Sequence, residues 1–153
     1  MKLRRATLHD LDKLWSMQTE AFSDLLRHYR DYETSPGNEP KERIKAKLLD
    51  ASTYFYFIYL EERAVGAVRV VDQKDGTRKR VAPIFITKEF RNRGLAQQVF
   101  QEIEAIHGGD NWMLDTILQE KGNCHLYEKL GYVRTGVIEP VNERMDIVYY
   151  EKN

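Results

Sequence analysis

Cysteine is nearly absent from this chain: Cys124 stands alone, so no internal disulfide can form, and a reducing compartment is the expected setting. Net charge is absent too. Twenty-four basic residues are balanced by 24 acidic ones, which leaves no overall field to draw nucleic acid or an anionic membrane, although Arg78-Lys79-Arg80 is a local cluster. No stretch approaches the ~20 consecutive apolar residues of a membrane span. Met1-Lys2-Leu3-Arg4-Arg5 leads into polar sequence without the apolar segment of a signal peptide, so the expected location is cytoplasmic. The four histidines and one cysteine show no ligand spacing such as His-x-x-x-His or Cys-x-x-Cys, and no zinc or other metal is expected. No internal repeat, low-complexity tract or linker interrupts the chain.

What remains is ordinary soluble-domain composition, 42% hydrophobic and 31% charged over 153 residues, enough for one domain spanning 1–153 with a real core. Lys2 to Ala6 reads as a first strand. A helix starting at Thr7 or His9-Asp10 carries Leu11, Leu14, Trp15, Ala21 and Phe22 and continues through Leu25, Leu26, Tyr29 and Tyr32 until Thr34-Ser35-Pro36-Gly37-Asn38 breaks it. Asn38 is placed to cap a second helix with Ile44, Leu48 and Leu49 on its apolar side. The period then changes to strands, Tyr54–Leu60, Ala64–Val71 and Val81–Ile86, joined by turns at Glu61-Glu62 and Asp75-Gly76 as an antiparallel meander. Trp112–Leu118 reads as a fifth strand, Asn123–Leu130 as a short helix stopped by Gly131, and Tyr132–Val137 and Met145–Tyr150 as a closing pair. The order β-α-α-β-β-β-α-β-α-β-β describes an α/β (α+β) fold, a mixed sheet covered by helices. Met145–Tyr150 is expected to be an edge, or to pair with a second copy in a homodimer.

Between the strand ending at Ile86 and the helix after it lies the most informative stretch. Leu95, Val99, Ile103 and Ile106 fall on one face of a helix, which Gly108-Gly109 stops. Its N-terminus is opened by Gly94 and flanked by Arg91 and Arg93. Unpaired N–H groups, the positive end of the macrodipole and a residue without Cβ together suit an anion such as phosphate. The stretch lacks the Lys-Ser/Thr of a P-loop and the three glycines of a dinucleotide fingerprint.

Arg91-Asn92-Arg93-Gly94-Leu95-Ala96 resembles the pyrophosphate loop of the GNAT superfamily of N-acetyltransferases, whose pattern is Arg/Gln-x-x-Gly-x-Gly/Ala between a strand and a helix. About 30 residues on, Leu126-Tyr127-Glu128-Lys129-Leu130-Gly131-Tyr132 is similar to that family's Tyr-x-x-x-Gly-Phe/Tyr segment. The resemblance covers most of the chain and extends to the order of elements. It implies a mostly antiparallel sheet whose fourth and fifth strands splay apart, with acetyl-CoA (coenzyme A) as cosubstrate. The loop from Arg91 to Ala96, including Asn92, Arg93, Gly94 and Leu95, would hold the pyrophosphate. Backbone groups around Phe85, Ile86 and Thr87 would hold the pantetheine arm, and Tyr127 would protonate the departing thiolate. Seven residues before Tyr127, where many members carry an asparagine, this chain has Glu120; either Glu120 or Asn123 takes that place.

Transfer to an amine needs a base, since an amine of pKa ~10 is protonated at neutral pH. The fourth strand holds no carboxylate, so Glu33, Asp115 and Glu120 are the candidates. Cys124 beside His125 resembles a nucleophile and its base, but adjacent helical side chains point ~100° apart and no orienting acid is placed by the sequence, so a covalent cysteine mechanism is not expected. By the resemblance, the acceptor is a primary amine of a small molecule or peptide, received by Leu25–Glu39 and Ile138–Arg144; Tyr29, Tyr32, Tyr54 and Tyr56 are candidates to line its pocket, or are core aromatics. The competing expectation is a CoA-binding sensor without turnover.

Overall fold

Alternation decides which way each strand faces. In the computed structural model, which describes residues 1–153, β2 (Thr53–Leu60) turns Phe55 and Phe57 to one side and Tyr56 and Ile58 to the other. β3 (Arg63–Val71) follows after a turn in which Glu61 takes φ 58°, and pairs antiparallel with β2, Tyr56 opposite Val68. β1 (Lys2–Arg5) adds to the other side of β2, and β4 (Lys79–Ile86) to β3. β5 (Trp112–Ile117), β6 (Val133–Asn142) and β7 (Met145–Lys152) complete one seven-stranded sheet in the order β1-β2-β3-β4-β5-β7-β6.

Each apolar face is covered by helices. Leu14 of α1 (Leu11–Ala21) and Ile44 of α3 (Lys41–Leu49) pack with Phe55, Phe57, Ala67 and Phe85. On the opposite face, Val99, Phe100 and Ile103 of α4 (Leu95–His107) and Cys124 and Tyr127 of α5 (Lys121–Lys129) pack with Val68, Val70, Trp112 and Tyr150. These side chains are fully or almost fully buried, the Val, Leu, Ile and Phe among them each contributing ~1.5–3 kcal/mol of apolar transfer. No helix is long and apolar enough to cross a membrane.

One irregularity positions everything that follows. β4 and β5 are the only parallel neighbours, and they pair only at Lys79 with Trp112 and Arg80 with Met113. Between the pairs Val68–Ile84 and Val70–Val81, β3 advances two residues while β4 advances three, so β4 carries a one-residue bulge at Ala82-Pro83. A bulge bends its strand. Beyond Arg80, β4 and β5 part and leave a wedge in the sheet.

Three sequence expectations are corrected. The first helix is interrupted: Phe22, at φ −98° and ψ 4°, separates α1 from α2 (Ser23–Tyr29), its ring packing edge-on to Phe85 at 5.8 Å while the Ser23 hydroxyl donates back to Glu20 O. No glycine or proline marks that break. Asn38 does not cap α3; its amide donates to Tyr32 O at 2.7 Å, and Pro40 precedes the helix. Met145–Lys152 is not an edge, because β7 lies between β5 and β6, and the exposed β6 ends the sheet.

Candidate active site

The wedge opens into two cavities, of about 540 and 480 Å³. They share Phe22, Leu25, Ile84, Asn123 and Tyr127 as lining residues, so one continuous cleft runs through the sheet with Tyr127 at its waist.

The smaller cavity is bounded by the loop before α4. Asn92 and Gly94 both take left-handed backbone conformations, φ 63° and 75°, and Gly94 is the residue preceding the first helical turn. The helix's first internal bond runs from Gln98 N–H to Gly94 O, leaving the N–H groups of its opening turn without intrahelical acceptors. A Cβ built on Gly94 would meet nothing within 4 Å, so the space beside these donors is open to an anion. Leu95, buried in the core, pins the turn, and Ala96 and Gln97 line the cavity wall.

Arg91 is used differently from the expectation that its charge faces the ligand. Its Nε donates to Ile86 O and its Nη2 to Ala21 O, both at 2.8 Å, so two of its three nitrogens strap the end of β4 to the end of α1. Arg93 lies over the Phe90 ring, 5.0 Å from its centroid, with Nη2 donating to Glu89 O.

The open edge of β4 also has a definite register. Thr87 N–H donates to Val65 O on β3, and antiparallel alternation then turns the backbone groups of Phe85 inward to β3 and those of Ile84 and Ile86 outward to the wedge. Phe85's ring is in the α1–α3 core. Of Phe85, Ile86 and Thr87, only Ile86 presents its N–H to the cleft. Ile84 was missed, and counting by twos from a fixed hydrogen bond is the signal that finds it.

Tyr127 is 7% exposed and held by rings on three sides, with centroid distances of 5.7 Å to Phe100 and 6.2 Å to Tyr132 and Tyr150. Burial, with smaller contributions from Cys124 and Asp115, pushes its phenol up to about 12, so it keeps its proton at neutral pH. Cys124 is buried, with its thiol 3.9 Å from the carbonyls of Ile117 and Leu118, away from the cleft. No group of three His, Cys, Asp or Glu side chains is placed to hold a metal.

The three candidate bases are placed apart. Glu120 lines the smaller cavity and accepts from Tyr29 Oη at 2.6 Å; burial and this carboxylate push the Tyr29 phenol up to about 12. Asp115 lines the larger cavity, where Arg80 Nη2 donates to it at 2.8 Å. Glu33 is exposed and lines neither cavity. Asn123 borders both cavities.

The larger cavity draws its walls from the two segments expected to receive an acceptor, through Leu25, Tyr29, Asp31 and Glu39 on one side and Glu139, Pro140 and Val141 on the other. They are stitched together: Asn142 Nδ2 donates to Tyr29 O at 2.9 Å and Arg144 Nη1 to His28 O at 3.0 Å. Tyr32 lies exposed outside this wall, and Tyr54 and Tyr56 belong to the α4 side, near His107.

A family model described as the acetyltransferase (GNAT) family matches residues 12–132, most of the chain and all of the cleft's central parts. The chain belongs to the GNAT acetyltransferase family. Its members are N-acetyltransferases with acetyl-CoA as cosubstrate, and this chain is one of them. Solved GNAT folds superpose over nearly the full length. Spermidine N-acetyltransferase from Vibrio cholerae, solved with CoA and spermine, has a TM-score of 0.75 at 17% identity, covering 97% of this chain and 92% of the other. The paia N-acetyltransferase from Thermoplasma acidophilum, solved with coenzyme A, has a TM-score of 0.70 at 14% identity and covers 99% and 98%. A probable acetyltransferase from Staphylococcus epidermidis has a TM-score of 0.70 at 15% identity and covers 97% and 96%. At these identities the likeness is one of fold. The donor-rich turn beside an open Gly94, and the unpaired edge of β4, fit the pyrophosphate and the amide-bearing arm of CoA.

Proposed function

We propose that this protein transfers an acetyl group directly to a primary amine in a ternary complex, with acetyl-CoA entering by the smaller cavity and the acceptor by the larger. The observation that carries the reading is the waist: the two cavities meet at Tyr127, a phenol that holds its proton to about 12. Acetyl-CoA supplies the activated acetyl group as a thioester. The turn from Asn92 to Ala96 binds the pyrophosphate through backbone N–H groups, and Ile84 and Ile86 align the arm along β4. Tyr127 Oη gives its proton to the leaving sulfur.

Glu120 is the preferred base. It lines the smaller cavity and is held by Tyr29, a wall residue of the larger one, whereas Asp115 is committed to Arg80 and Glu33 lies outside the cleft. Glu120 takes the amine proton through water, and Asn123 serves the polar contact to the arm. The sheet uses residues from Lys2 to Lys152, which supports one catalytic domain over 1–153. The lone buried thiol favours a cytoplasmic setting.

Release of free CoA thiol from acetyl-CoA, measured with a panel of polyamines, amino acids and short peptides and with mass spectrometry of the acceptor, tests the proposal. Amine-dependent thiol release with one acetyl group added to the acceptor is expected. A protein that binds acetyl-CoA yet acetylates no amine would overturn it in favour of a CoA sensor.

A further inference from the structure

The larger cavity holds four acids and four bases, and their pairing is uneven. Each acid already has a partner from this chain. Asp31 accepts from the backbone and hydroxyl of Thr34, and Glu39 from Gln18 and Lys47. Asp115 accepts from Arg80, and Glu139 from the Tyr149 hydroxyl. Lys47 and Arg80 are thereby engaged, while Arg43 and Arg69 have no ion-pair partner.

Arg69 is the anomaly. It stands on β3 opposite Phe55, on the α1–α3 side of the sheet, lines the cavity and is only 9% exposed. Its Nε and Nη1 are sealed from solvent without a hydrogen-bond partner, and so is Nε of the neighbouring Arg80. The acids closest in charge cannot answer it: Glu39 is held by Lys47 and Gln18, and Asp50 caps its own turn by accepting from Ser52 N–H and Oγ. Burial and the Arg80 charge both disfavour the cationic form of Arg69. A buried guanidinium without an acceptor is costly to keep and is strongly favoured by any oxyanion that reaches it.

Resting on the acetyl-transfer reading above, we infer that the acceptor is an amine that also carries a carboxylate, and that Arg69, with the neighbouring Arg80 and with Arg43 lining the same cavity, is the seat of that carboxylate. The fork of an arginine matches two carboxylate oxygens. An amino acid or short peptide fits a cavity of about 540 Å³. The amine lies toward Tyr127 at the waist and the carboxylate toward β3, which gives the substrate one orientation. A polycation meets unanswered positive charge on that wall. Arg69 is therefore a specificity-determining residue rather than a catalytic one.

The test compares amine acceptors in matched pairs, each amino acid or dipeptide against its C-terminal amide, in the wild type and in Arg69→Met and Arg69→Lys. Expected in the wild type is a KM at least tenfold lower for the acid than for its amide, with spermidine poorer than either. Arg69→Met should raise KM for the acid at least tenfold, bring the pair together, and leave acetyl-CoA affinity unchanged. Arg69→Lys should restore part of the preference. Because Met removes an unpartnered buried charge while keeping an apolar stem, the variant without ligand should melt no lower than wild type. A readout independent of turnover is calorimetric binding of N-acetyl-leucine to the CoA-loaded protein, at least tenfold weaker in Arg69→Met.

Amines acetylated without regard to a carboxylate, or an unchanged acid-to-amide ratio in Arg69→Met, would overturn this inference and leave the acetyltransferase reading standing. Absence of any acetylation together with Arg69-dependent binding of N-acetyl-leucine would sink the transfer reading while keeping the carboxylate seat. Absence of both would overturn the two together.

Discussion

Replacing Tyr127 by phenylalanine removes a single oxygen from the waist of the cleft. The ring's edge-on contacts to Phe100, Tyr132 and Tyr150, at 5.7 to 6.2 Å, are retained, and no residue of the protein loses a hydrogen-bond partner. Folding stability should therefore change by about 0.5 kcal/mol or less. The turn at Gly94, proposed to hold the pyrophosphate, is untouched, so acetyl-CoA should bind within about twofold of wild type. What is lost is the proton for the leaving thiolate. General acids contribute ~10²–10⁴-fold, and a thiol of pKa ~8.5 is already a fair leaving group, which puts the expected loss near the lower end, about 10²-fold in kcat or about 2.7 kcal/mol of barrier. Steady-state thiol release at saturating acetyl-CoA, beside a calorimetric titration of the same preparation, reads both quantities. Because the Tyr127 phenol holds its proton to about 12, the wild-type kcat should also not fall between about pH 8 and about pH 10 through loss of this acid. A folded variant with kcat within threefold of wild type would refute the role.

Gly66 faces Phe85 across β3 and β4 so closely that a Cβ would stand 2.2 Å from Phe85 O; Gly66→Ala should cost about 3 kcal/mol in a urea melt and weaken acetyl-CoA binding by displacing the end of β4, and an unchanged midpoint would contradict the register. His107 bridges Asp72 Oδ2 and the Tyr56 hydroxyl, each at 2.9 Å, so His107→Ala strands two buried polar groups and should lower stability by about 2–4 kcal/mol while leaving the KM for acetyl-CoA unchanged in protein that remains folded. Stability should also fall at high pH. The phenols of Tyr29 and Tyr127 are raised to about 12, and those of Tyr132 and Tyr150 are raised as well, chiefly by burial. Above about pH 10 the unfolded chain releases phenolic protons that the folded chain keeps, so the folded state binds more protons and loses ground as pH rises. This stabilisation is whole below about pH 10 and disappears as pH climbs through the folded values; a urea midpoint that stays flat from about pH 9 to about pH 11 would contradict it.

The backbone plan was legible because periodicity carries it. Leu95, Val99 and Ile103 drew α4, and the change to an aromatic and β-branched period at Tyr54 drew β2 and β3. The turn before α4 was legible as a turn because it is local, a glycine held at φ 75° between a strand and a helix. Side-chain destinations were not. Arg91 is drawn to two carbonyls, one of them seventy residues away at Ala21, and Tyr29 meets Glu120 ninety-one residues along the chain. Neither pairing has a spacing to read. The break at Phe22 stayed hidden because it is imposed by packing on Phe85 rather than by a helix-breaking residue, and the edge position of β6 because the order of the last two strands is a tertiary choice. Arg69 sits in a strand rich in valine, where nothing in its spacing marks it; only its burial without a partner sets it apart.

The central claim, that the turn at Gly94 seats the pyrophosphate of acetyl-CoA, is tested most directly by calorimetric titration of wild type and Gly94→Glu. Nothing lies within 4 Å of the position a Cβ would take, so the new side chain has room, and the left-handed φ adds a strain of about 1–2 kcal/mol that a folded domain can carry. Its carboxylate, however, occupies the place of the anion. Wild type should bind acetyl-CoA with a Kd on the order of micromolar, and the variant, shown folded by circular dichroism, should bind at least about a hundredfold more weakly. Equal binding by the two proteins, or none by folded wild type, would contradict the account.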